Sequence, residues 1–103
     1  MAHLNITKEN FEEFIINIGK PVLLDFWAPW CGPCQQVSPI VEQIADERED
    51  IIVGKVNVDD EMELAKQFRV MSIPTLVVFK GGEVTGKAVG FRTREEILNL
   101  INK

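Results

Sequence analysis

Asp25-Phe26-Trp27-Ala28-Pro29-Trp30-Cys31-Gly32-Pro33-Cys34 is the stretch on which the reading of the fold turns. It continues Val22-Leu23-Leu24, so Val22 to Trp27 is a short apolar run broken only by Asp25. Such a run suits a strand covered on both faces, as in a central parallel strand. Ala28 to Gly32 reads as a loop. A helix is expected from about Pro33 to Arg48, with Val37, Ile40, Val41 and Ile44 on one face. Pro33 suits its first turn, where φ is preset and the missing N–H is one that lacks an intrahelical partner anyway. Pro39 cannot donate to the carbonyl of Gln35, which predicts a kink inside the helix.

On the N-terminal side, Ala2 to Asn5 is read as a short edge strand. Thr7 is a candidate N-cap, with Ile6 stapling onto Phe11. Phe11, Phe14, Ile15 and Ile18 then recur at helical spacing until Gly19-Lys20-Pro21 stops the helix. On the C-terminal side, Ile51 to Val58 is the next strand, with Lys55, Asn57 and Asp59 falling on a polar side. Asp60 to Phe68 is a short helix with Leu64, Ala65 and Phe68 inward. Thr75 to Lys80 and Glu83 to Val89 form a hairpin about Gly81-Gly82. Thr93-x-x-Glu96 is a capping box for a last helix that buries Ile97, Leu100 and Ile101. The predicted order is β-α-β-α-β-α-β-β-α. It gives parallel strands with crossover helices first and a hairpin last, in one three-layer α/β domain.

The composition bounds what such a domain does. The chain has 103 residues, enough for one domain and too few for two. A net charge of −5, with 11 scattered basic residues, argues against a nucleic-acid partner. No apolar run approaches the ~20 residues of a membrane-spanning helix. Met1 to Asn10 lacks a basic region followed by an apolar one, so no signal peptide is read and a cytoplasmic location is expected. Two cysteines cannot form a disulfide scaffold. In a reducing compartment the pair is either a redox centre or half of a metal site. Zinc takes about four ligands, and the chain offers His3 and no second cysteine pair, which leaves only an intermolecular site. No metal or other cofactor is expected.

Disulfide exchange needs a thiolate to attack and a second thiol to release the product. At a helix N-terminus, backbone N–H groups and the macrodipole favour an anion, so the Cys31 thiol is expected to ionise readily. Cys34, one turn further in, is placed to resolve a mixed disulfide.

The stretch from Asp25 to Cys34 closely resembles the active-site segment of the thioredoxin family. So do Pro39, Lys55, Asn57-Val58-Asp59, Ile73-Pro74-Thr75, Phe79-Lys80-Gly81-Gly82 and Val89-Gly90, in order and at family spacing. The resemblance implies a thioredoxin-like three-layer α/β/α sandwich, with a central mixed sheet of four to five strands and four helices. It implies a protein-disulfide reductase carrying electrons from thioredoxin reductase to client proteins through a reversible Cys31–Cys34 disulfide. A monomer is expected. Gly32 and Pro33 between the cysteines resemble the reducing members of the family.

Further roles come from the same resemblance. Asp25, on pattern alone an exposed carboxylate at a strand end, becomes the proton acceptor for Cys34. Lys55, on pattern alone solvated, is placed near Asp25 as its modulator. Pro74, trans by the ordinary preference of X–Pro bonds, becomes cis and faces the cysteines, with Ile73 offering backbone groups to an extended client. Trp30, Ile73, Pro74, Val89 and Gly90 become a docking rim, with Trp27 packed beneath. Gln35, Gln36, Pro29, Met71 and Ser72 depart from common family residues and bear on partner choice. Two other readings remain open here: a non-catalytic binding module using its apolar patch, and a zinc- or cluster-bridged dimer.

Overall fold

The computed structural model describes residues 3–13 and 19–103. Its elements are β1 (Leu4–Asn5), β2 (Val22–Trp27), α1 (Gly32–Glu47), β3 (Ile52–Asn57), α2 (Met62–Gln67), β4 (Thr75–Lys80), β5 (Glu83–Val89) and α3 (Arg94–Ile101). The five strands form one mixed sheet in the order β1-β3-β2-β4-β5. β3 runs parallel to both β1 and β2. β4 is antiparallel to β2 and to β5.

Strand alternation sorts the core into two halves. Leu23, Val53, Leu76 and Val78 face α1 and α3, meeting Val37, Val41, Ile44, Ile97 and Ile101. Val22, Leu24, Phe26, Val56 and Val77 face the other way, toward Leu64 of α2 and toward Ile6 and Phe11. The layers are therefore helix, sheet, helix. α1 runs through Pro39 as one element.

The helix expected over Thr7 to Ile18, with its Phe14, Ile15 and Ile18 stripe, extends outside the described residues. Its predicted start is visible. Thr7 Oγ1 accepts from the Asn10 N–H at 3.3 Å, and Asn10 Oδ1 accepts from the Thr7 N–H at 2.8 Å. Among the described residues there are thus three helices rather than four. The capping box forms as predicted, with Thr93 and Glu96 satisfying each other's backbone N–H groups. Gly81 and Gly82 both take positive φ, 57° and 84°, as a two-residue hairpin turn of the mirror-image type requires.

Several expectations change. α2 covers Met62–Gln67 and not the predicted Asp60 to Phe68, because the Asp60 and Glu61 N–H groups both turn to the carbonyl of Asn57 before the helix begins. β3 is one residue shorter at each end than the predicted Ile51 to Val58, because Ile51 packs into the core and the Val58 N–H turns to the carbonyl of Trp27 at 2.9 Å. Its Lys55 side, read from pattern as solvated, is covered by α1, and Lys55 is only 8% exposed.

Gly54 of β3 lies where β1 gives way to Ile6. A Cβ there would stand 2.5 Å from Ile6 Cγ1 and 3.1 Å from Leu24 Cδ2. Gly54→Ala is therefore expected to destabilise the fold by about 1–3 kcal/mol through overpacking. Trimming Ile6 to Val beside it should not recover the loss, because Cγ1 remains, whereas Ile6→Ala should recover part. Denaturant unfolding midpoints of the single and double variants check this.

Candidate active site

β2 ends at Trp27 and the chain turns through Ala28 to Trp30, so that Cys31 becomes the N-cap of α1. Gly32 and Pro33 fill the first helical positions, and Cys34 follows as the third. The Cys31 sulfur accepts the Cys34 N–H at 3.2 Å, satisfying one of the backbone donors that a helix start leaves open. No acidic residue occupies the first turn to offset the positive end of the helix. A thiolate on Cys31 is therefore favoured by both the hydrogen bond and the dipole.

Cys31 and Cys34 are joined as a disulfide, with their Cα atoms 5.3 Å apart. Both are buried, at 5% and 1% exposure, so the position of Cys34 one turn further in makes little difference to access in this state. Reaching Cys31 depends on its neighbours. Its sulfur lies 3.8 Å from the carbonyl oxygen of Ile73, close enough for a reduced thiol to donate to it. The Ile73–Pro74 bond is cis, as the resemblance implied and the ordinary preference did not. Pro74 itself is buried rather than presented on the surface, and its carbonyl accepts the Gly90 N–H at 2.8 Å. That bond ties the Val89-Gly90 corner to the loop before β4. Val89 is exposed, and Gly90 has φ 91°.

Trp30 is 71% exposed, and its indole N–H donates to the Asp59 carboxylate at 3.1 Å. Beside it a groove is lined by Trp30, Val58, Val70, Met71 and Ile73. Met71 is almost wholly exposed. Trp27 is half-buried and packs against the Ala28, Cys31 and Cys34 cluster, as expected.

Asp25 is fully buried, and neither carboxylate oxygen has a hydrogen-bond partner among the described residues. Its register partner across β2 and β3 is Lys55, and across β4 it is Leu76. Burial pushes the Asp25 carboxyl up to about 7; the Lys55 ammonium pulls it back and Glu42 adds to the rise. Lys55 Nζ makes its hydrogen bonds to α1 instead, to Ser38 Oγ and to Glu42 Oε2, the latter at 3.0 Å. Hydrogen bonds from Lys55 and Ser38 hold the Glu42 carboxyl below its ordinary value. Ser38 and Glu42 were not singled out from the sequence, and Asp59 was placed on the polar side of its strand and in the family resemblance without a role at the site. The available signal was the polar pair Ser38 and Glu42 on the helix row that starts at Cys34, beside the apolar stripe.

Among the described residues no group of three or more His, Cys, Asp or Glu side chains is arranged to hold a metal ion. No described helix is long and apolar enough to cross a membrane.

A reversible disulfide at the start of a helix, set on a mixed α/β sheet, exchanges two thiols for one disulfide. The chain is by class a dithiol–disulfide oxidoreductase. The Thioredoxin family model matches residues 2–103. A protein named Thioredoxin from Pyropia yezoensis is 43% identical over 104 residues, covering 100% of this chain and 97% of its own length. One of that name from Mycobacterium bovis is 44% identical over 102 residues, covering 98% and 88%. Another, from Haemophilus influenzae, is 42% identical over 101 residues, covering 97% and 94%. The chain belongs to the thioredoxin family.

Asp25 gives the fold a pH dependence of definite sign. With its folded pKa raised from 3.8 to about 7, the native state binds more protons than the unfolded state over that window. The carboxyl's contribution is fully present below about pH 4 and is lost as pH rises through about 7, a change on the order of 4 kcal/mol. Oxidised Asp25→Asn is therefore expected to be more stable than the parent at about pH 8.5, with the margin shrinking by about pH 5. Guanidinium unfolding at the two pH values measures it; an equal margin at both would contradict the burial argument.

Proposed function

We propose that the Cys31–Cys34 centre works as a protein-disulfide reductase in which the two sulfurs take fixed, unequal parts. The observation that carries this reading is the setting of the Cys31 sulfur. It accepts the Cys34 N–H at 3.2 Å and lies 3.8 Å from the Ile73 carbonyl, at the edge of an apolar groove.

In the reduced protein the Cys31 thiolate attacks one sulfur of a client disulfide. A Cys31–client bond forms, the client S–S bond breaks, and the departing client thiolate takes up a proton. Asp25 then accepts the proton of Cys34. The Cys34 thiolate attacks the Cys31 sulfur, the Cys31–client bond breaks, and the second client thiolate leaves. Two electrons have passed to the client, and the Cys31–Cys34 disulfide has formed. The burial of Asp25, with no hydrogen-bond partner among the described residues, supports its part as base, since its carboxyl then titrates near neutral pH. Lys55 modulates that carboxyl. Gly32 and Pro33, which leave the first turn free of side-chain charge, contribute to the potential.

Client docking falls to Trp30, Ile73, Val89 and Gly90, with the buried Pro74 shaping the loop from beneath. An extended client segment pairing with the Ile73 backbone fits this arrangement. The exposed Met71 beside Ile73 favours clients with an apolar side chain near their cysteine. The family implies a reductase that recharges the pair and disulfide-bearing clients. We assign the recharging to thioredoxin reductase, and place the protein in the cytoplasm as a monomer of a single domain.

Insulin reduction by dithiothreitol tests the reading. The parent chain should accelerate it, and Cys31→Ser with Cys34→Ser should not. A double variant that still accelerated it would favour a non-catalytic role for the apolar patch. Cys34→Ser alone should trap client proteins as mixed disulfides on Cys31. Asp25→Asn should slow resolution of such a disulfide about 10-fold or more near neutral pH while leaving Cys31 attack largely intact. Rapid-mixing measurement of the two thiol-release phases separates the steps, and equal second phases in variant and parent would remove Asp25 from the mechanism.

A further inference from the structure

Cys34, Ser38 and Glu42 lie four residues apart on one row of α1, and this row meets the face of the sheet that carries Asp25 and Lys55. Ser38 and Glu42 are not idle there. Lys55 Nζ donates to Ser38 Oγ and to Glu42 Oε2, and the Ser38 hydroxyl donates to the same Glu42 oxygen at 2.8 Å. The ammonium lies 5.1 Å from the centroid of the Trp27 ring. Lys55 is thus bound from one side by a carboxylate and a hydroxyl and faced from another by an aromatic ring. Asp25, its register partner, has neither oxygen hydrogen-bonded among the described residues.

We propose that Ser38 and Glu42 are positioning residues for the resolving step: they clamp the Lys55 ammonium onto α1, away from Asp25, and so preserve the Asp25 carboxyl as a group that can hold the proton of Cys34. The proposal rests on the reading of Asp25 as the base.

The physical case is a competition for one cation. A buried carboxyl with an unshared ammonium beside it becomes a plain carboxylate, a weak base at neutral pH. Sharing that ammonium with a second carboxylate removes part of its pull, because the Glu42 charge offsets that of Lys55 as seen from Asp25. Ser38 closes the clamp by accepting from Lys55 and donating to Glu42. The other groups around Asp25 leave this balance intact. β4 presents the uncharged Leu76 in register. α1 brings Cys34, Ser38 and Glu42. Beyond Glu42, the field of His3 acts on the Glu42 carboxyl. Asp60 and Glu61 line a cavity together with Lys55, Trp27 and Asn57, and neither carboxylate is within ion-pair distance of Lys55. Glu42 is the one carboxylate that Lys55 touches among the described residues, and its side chain is 33% exposed, so it can be changed without emptying the core.

Glu42→Gln keeps the shape and an acceptor oxygen while removing the charge. It should lower the Asp25 midpoint by about one pH unit, a tenfold change in the carboxylate-to-acid ratio at fixed pH. Ser38→Ala should lower it by less, and Lys55→Met should raise it. The midpoint is read by carbon NMR of the Asp25 carboxyl in the oxidised full chain. The same order should appear in the pH profile of thiol release from the Cys31 mixed disulfide with insulin. A role confined to stability would lower unfolding midpoints without moving either profile. An Asp25 midpoint unchanged or raised in Glu42→Gln overturns the clamp. If instead Asp25→Asn leaves the pH profile of thiol release intact, the reading of Asp25 as base fails and the functional part of the proposal fails with it. The carboxyl titration then still decides the clamp.

Discussion

The N-terminus of α1 meets the end of β2, and the rest of the site follows from that junction. A helix start buried against a sheet has backbone N–H groups that need acceptors. Here a cysteine sulfur is one of them, 3.2 Å from the Cys34 N–H. The same hydrogen bond and helix dipole that complete the helix also stabilise the anionic form of that sulfur. Structural need and chemical reactivity are met by one contact. The short Ala28 to Trp30 turn holds it in place and leaves Trp30 facing outward.

Electrostatics beneath the junction run against the usual rule that buried charges are paired with one another. Asp25 and Lys55 are register neighbours, yet the hydrogen bonds of Lys55 go to Ser38 and Glu42. A direct Asp25–Lys55 pair would be the simpler solution for stability. The observed arrangement leaves a buried carboxyl on β2, with its pKa raised to about 7, beside a lysine that bonds elsewhere, at a cost to folding that grows with pH. Sites that move protons at neutral pH have this character.

Much of the molecule was legible in its sequence, and the reasons are local. The Gly81-Gly82 turn, the Thr93 and Glu96 capping box and the strand–loop–helix unit around Cys31 each depend on residues within a few positions of one another. Periodicity placed β2, α1, β4 and β5 nearly to the residue. It misjudged Lys55, because alternation along a strand tells which side a residue faces and not what covers that side. The cis bond at Pro74 could be expected only through family resemblance, since the ordinary X–Pro preference points to trans.

By itself, the sequence determined the order of elements from β2 onward, the cysteine pair at a helix start, and the small number of Cys and His side chains. These are properties of spacing and composition. The tertiary structure decided which distant groups meet that pair. It brought the Ile73 carbonyl to Cys31 across 42 positions, joined Trp30 to Asp59, and turned Lys55 toward Glu42 instead of Asp25. Those contacts depend on how α1 lies across β2 and β3 and on where the loop before β4 returns. Burial by elements far apart in the chain sets both, and no local pattern encodes it.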